Sequence, residues 1–143
     1  MLEWKSYRTV TDDSVLREVE QRTGRRLPPE YAALALKYSG GVPQNRIFTV
    51  CEQPVVFNRL ISAAPDKHPN LLDALTWVED APGRSLIPFA TDVFGNLLCF
   101  NCLTATYYSI VWLEMETGVT IPLDVSFTHF MDSLRDKRGG DRP

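Results

Sequence analysis

From Leu86 onward the chain reads "LIPFATD", "NLLCFNCL" and "YYSIVWLEME", three runs rich in branched and aromatic residues and divided only by "VFGN" and "LTAT". Such residues fit the pleated, half-buried surface of a sheet. Connections this short join neighbouring strands in antiparallel fashion, because a parallel crossover needs a dozen or more residues. The following "ETGVTIPLDV" adds a Thr-Gly hairpin turn and a last short strand. Pro122 has no amide hydrogen to give a ladder, so that strand belongs at an edge or an end of the sheet.

The earlier part of the chain carries a helical period instead. In "TDDSVLREVEQRTGRR", Thr11 or Asp12 accepts the first free N–H groups, Val15, Leu16 and Val19 form an apolar stripe, and Gly24 suits the residue after a helix. This predicts a helix over about Asp12 to Thr23. In "LPPEYAALALKYSGGVP", Pro28 and Pro29 fit a first helical turn, Tyr31, Leu34, Ala35 and Tyr38 share one face, and Gly40 and Gly41 close the segment. "RIFTVC" alternates as a strand does, whereas "PVVFNRLI" fits a strand or a short helix equally. Asn70 then caps "NLLDALTWVED", and Ser126 caps a closing helix whose Phe127, Phe130, Met131 and Leu134 lie on one side.

Helices, then antiparallel strands, then a helix make an α+β order. The expected architecture is a mostly antiparallel sheet of about four to six strands packed on N-terminal and C-terminal helices. One domain over residues 1–143 is expected, with its core at about 12–134 and a frayed tail at 135–143.

Several functions find no support in these residues. The N-terminus mixes charged with apolar side chains and no later run reaches the roughly 20 apolar residues of a membrane span, so a cytoplasmic protein is expected. Cys51, Cys99 and Cys102 form an odd set in a chain large enough to fold without staples, and are expected to be reduced and buried. Cys99 and Cys102 make one C-x-x-C, but no second ligand pair completes a zinc site, and neither a metal nor a cofactor is expected. His68 and His129 match no catalytic triad and G-x-S-x-G is absent, so nucleophilic catalysis finds no support, while an enzyme or small-ligand binder using Asp92 and a pocket beside the glycine loop stays a third reading. "SGG" at Ser39 to Gly41 follows a helix rather than preceding one, where the negative end of the dipole disfavours phosphate. Asp92 enters a strand-to-strand turn, a place where a carboxylate accepts backbone N–H groups.

Charge distribution says more than the net value of -3. Met1 to Arg46 holds 8 basic and 6 acidic residues, Ile47 to Leu134 holds 3 and 10, and the remainder holds 4 and 2. The strand-rich half is the acidic half, so it would repel nucleic acid, and Tyr107, Tyr108 and Trp112 make a poor base-stacking platform. An acidic surface instead attracts a basic protein, and the expected contacts are Asp92, Asn96, Glu114, Glu116 and Asp124. The plainer reading is a solvated face that keeps the protein dispersed.

Taken in order, these segments resemble the SUKH superfamily, which includes the yeast cell-wall assembly regulator and many bacterial immunity proteins. The likeness runs from about Asp12 to Leu134. It is carried by Leu27, Pro28 and Tyr31 at a helix entry, Gly40 and Gly41 at its exit, Pro88, Phe89, Ala90 and Asp92 before a turn containing Gly95, and Phe127 and Phe130 near the end. The family often has a second glycine and an acid in that turn, where this chain has Val93-Phe94-Gly95-Asn96, and residues 54–84 align with no family pattern. The resemblance implies an α+β fold without enzymatic activity. For bacterial members it implies binding and neutralising a toxin, often a nuclease. The alternative is an intracellular scaffold or regulatory module like the yeast relative.

Overall fold

A computed structural model describes residues 3–79, 85–102, 108–123 and 125–135. Its elements, in chain order, are β1 (Trp4–Lys5), α1 (Ser14–Thr23), α2 (Pro29–Lys37), β2 (Val42–Pro43), β3 (Ile47–Val50), β4 (Gln53–Leu60), α3 (Leu71–Val78), β5 (Leu86–Asp92), β6 (Leu97–Asn101), β7 (Ser109–Leu113), β8 (Thr120–Pro122) and α4 (Phe127–Ser133). Strands β3 to β8 pair in sequence order into one six-stranded sheet, and β1 pairs with β2 in a small second one. Every pairing is antiparallel. The α+β architecture read from the sequence is therefore the one observed.

Local chemistry explains most element ends. Asp12 accepts the Ser14 N–H at 2.9 Å, which holds its carboxyl below the usual carboxylate value, and Gly24 turns left-handed at φ 68° after α1. Asn70 and Asp73 form a reciprocal capping box at α3, and Ser126 accepts the His129 N–H at α4. The ambiguous "PVVFNRLI" lies in β4 up to Leu60, because Cys51 and Glu52 both take positive φ and turn the chain straight back from β3. That turn leaves Cys51 exposed, against the expectation that all three cysteines are buried; Cys99 and Cys102 are buried. The two edges of the sheet differ in how they end. Strand β8 is three residues long and contains Pro122, while β3 is bridged at Ile47 by Arg135.

Helices α1 and α3 pack together, with α3 on β5; α2 packs on α4, which also meets β7. Strands β5 and β6 are buried almost throughout, as strands covered on both faces should be. The family-like residues converge here. Tyr31 of α2 meets Phe89, Phe100 and Phe127 edge-on at ring distances of 5.7, 5.1 and 5.4 Å, and Phe130 packs on Phe48 and Phe57. Pro88 is tolerated in a central strand because the register shifts between Pro88 and Ala90, and the displaced Phe89 carbonyl accepts the Ile61 N–H instead.

The paired glycines do different jobs. Gly40 takes φ 70°, which costs a glycine nothing. At Gly41 a Cβ would lie 2.7 Å from the Tyr38 carbonyl and 3.0 Å from the Trp4 ring, so glycine lets the N-terminal segment close over α2. Trp4 stacks on Tyr38 at 5.3 Å, and the described residues ahead of Asp12 are thereby built into the fold.

Candidate functional site

The β5–β6 and β7–β8 turns emerge at the same end of the sheet, and Asp92 organises both. One carboxylate oxygen accepts the Phe94 and Asn96 backbone N–H groups, each at 2.9 Å. The other accepts the Asn96 amide at 3.1 Å and the Trp112 indole N–H at 3.0 Å. A carboxylate has about four acceptor positions, so Asp92 is saturated. It is also 1% exposed.

Asn96 carries the link across to the second turn. Its side-chain oxygen accepts the Met115 N–H at 3.1 Å while its amide group faces Asp92. Within that turn Glu114 accepts the Thr117 hydroxyl at 2.7 Å. The two turns are thus one hydrogen-bonded body, and they enclose an open hollow of about 660 Å³ lined by Phe94, Asn96, Trp112, Glu114, Met115 and Glu116. Glu114 and Glu116 have no cationic partner among the described residues.

Of the contact residues expected from sequence, Asn96, Glu114 and Glu116 meet at this hollow. Asp92 must be corrected: it lies beneath the surface as the support of the loop, which is the turn-binding role its position also predicted. Asp124 lies outside the described residues. Sequence reasoning missed Phe94, which is 84% exposed, together with Met115. The signal was present in "DVFGN", since two apolar residues stand at a turn tip where polar ones are usual.

The remaining reactive groups are poorly placed for chemistry. Burial pushes the Cys102 thiol up to about 11, so it stays protonated near neutral pH. His68 is exposed and bonds Asp73 at 2.7 Å, His129 is exposed on α4, and no group of metal-binding side chains occurs among the described residues. No helix among the described residues is long and apolar enough to cross a membrane.

Compared with known families, the chain matches the model of the SMI1 / KNR4 family (SUKH-1) over residues 10–133. No curated protein matches it.

Proposed function

The chain belongs to the SMI1/KNR4 family (SUKH-1), generally non-enzymatic binding and immunity domains, and from that membership we propose that it is a non-catalytic cytoplasmic immunity protein that neutralises a basic, nuclease-type toxin by direct binding. The observation that carries this reading is Phe94, held outward on a hydrogen-bonded turn beside two carboxylates that have no cationic partner among the described residues. An exposed aromatic on a rigid support is the usual anchor of a protein interface, and charges around it steer a basic partner to it. The acidic bias of residues 47–134 extends that field.

The test is to identify the adjacent gene and, where it encodes a toxin domain, to titrate the purified protein with that domain at rising salt. Affinity should fall as salt rises, and Phe94→Ala should weaken it by about 2 kcal/mol, roughly 30-fold. Salt-independent binding that Phe94→Ala leaves intact would remove this surface from consideration. The second reading, an intracellular scaffold or regulator, is favoured by the family's SMI1/KNR4 members. Capture of a host protein through the same hollow, with no toxin bound, would decide for it.

A further inference from the structure

A second concavity lies apart from the acidic hollow, where the end of α2 meets the loop after β4. It is a recess of about 170 Å³ whose walls include Arg8, Arg59, Lys67, Ser39, Gly40 and Ser62. Arg8 is held by Asp66 through two hydrogen bonds. The Arg59 and Lys67 side chains have no ion-pair partner among the described residues. Three cations against one carboxylate leave a net charge of +2 at the mouth, in a protein whose total is -3.

The floor of the recess is polar and incompletely satisfied. Ser39 and Ser62 are 5% and 8% exposed. The Ser39 hydroxyl accepts the Ala63 N–H at 2.8 Å, the Ser62 hydroxyl accepts the Ala64 N–H at 3.1 Å, and the two oxygens lie 3.4 Å apart. Two hydroxyls carry two hydrogens. Their mutual contact uses one at most, so by this count one hydroxyl hydrogen is left over for a further acceptor. A hydroxyl hydrogen beneath two cations without ion-pair partners suits an oxyanion.

We infer that this recess binds the phosphate group of a small phosphorylated molecule, with Arg59 and Lys67 pairing its charge and the Ser39–Ser62 couple donating to one of its oxygens. The sequence argument against phosphate beside "SGG" rested on the negative end of α2. That end is worth about half a charge, and the side chains gathered from three other segments outweigh it. The inference is independent of toxin binding, since none of these residues lines the acidic hollow.

Inorganic phosphate is the probe, added at fixed ionic strength while amide shifts are followed by NMR, with chloride as control. Phosphate should produce saturable shifts at Ser39 to Gly41, Ala63 and Ala64, which chloride does not. Arg59→Ala combined with Lys67→Ala should keep the melting temperature, because both side chains are exposed, and weaken phosphate at least about tenfold. Ser62→Ala should weaken it several-fold. Shifts that chloride reproduces, shifts that do not saturate, or a double variant that binds like the parent would overturn the assignment.

Discussion

Phe89 and Phe94 stand on either side of Asp92 in one strand and its turn, yet Phe89 is 0% exposed and Phe94 is 84% exposed. Both are phenylalanines, so hydrophobicity does not distinguish them. Their surroundings do. Phe89 is ringed by Tyr31, Phe100 and Phe127 and holds the sheet to its helices, whereas Phe94 is displayed by a loop whose backbone is tied to a buried carboxylate. A residue that builds the core and one displayed to solvent can therefore adjoin in one strand and its turn.

The sharpest way to break this comparison is to truncate the inner ring. Phe89→Ala should cost about 3–5 kcal/mol in denaturant unfolding, since the cavity forms among packed rings. A loss below about 1 kcal/mol would deny Phe89 its structural role. Next comes the carboxylate between them. Asp92→Asn keeps the shape but turns an NH2 group toward donors that need an acceptor, and should destabilise by about 2 kcal/mol. The Trp112 indole N–H resonance should move as its partner changes; an unmoved resonance would separate Asp92 from the second turn.

Tyr31→Phe tests the inner side from the opposite direction. The Tyr31 hydroxyl is buried without a hydrogen-bond partner among the described residues, and burial drives its titration well above the usual tyrosine range. Removing it should stabilise by up to about 1 kcal/mol, read as a raised unfolding midpoint. A destabilised variant would point to a partner for that hydroxyl. The smallest effect is expected outside: Phe94→Ala should change stability by less than about 0.5 kcal/mol, and a larger loss would return Phe94 to the core.

Much of the framework could be read along the chain because its causes are local. Asn70, Ser126 and Gly24 act on neighbours within a few residues, and Pro122, which lacks an amide hydrogen, falls in the edge strand β8. The site is legible only in part because its causes are distant. Asn96 and Glu114 could be named as acidic-side contacts, but nothing local shows that Trp112 reaches Asp92 or that Asn96 braces Met115. "PVVFNRLI" stayed ambiguous since its register with β5 slips between Phe57 and Arg59, which interrupts the alternation a regular strand would display. The recess at Ser39 escaped for the same reason, as its cations come from β4 and two separate loops.

The two outer strands carry a consequence for concentrated solutions. An open sheet grows when another chain lays its own strand along an unpaired margin. Here one margin is short and ends in Pro122, and the other is already occupied at Ile47 by the returning chain at Arg135. Neither offers a continuous row of free backbone groups to a newcomer. Extension of the ladder by a second chain is thereby disfavoured at both margins of this sheet.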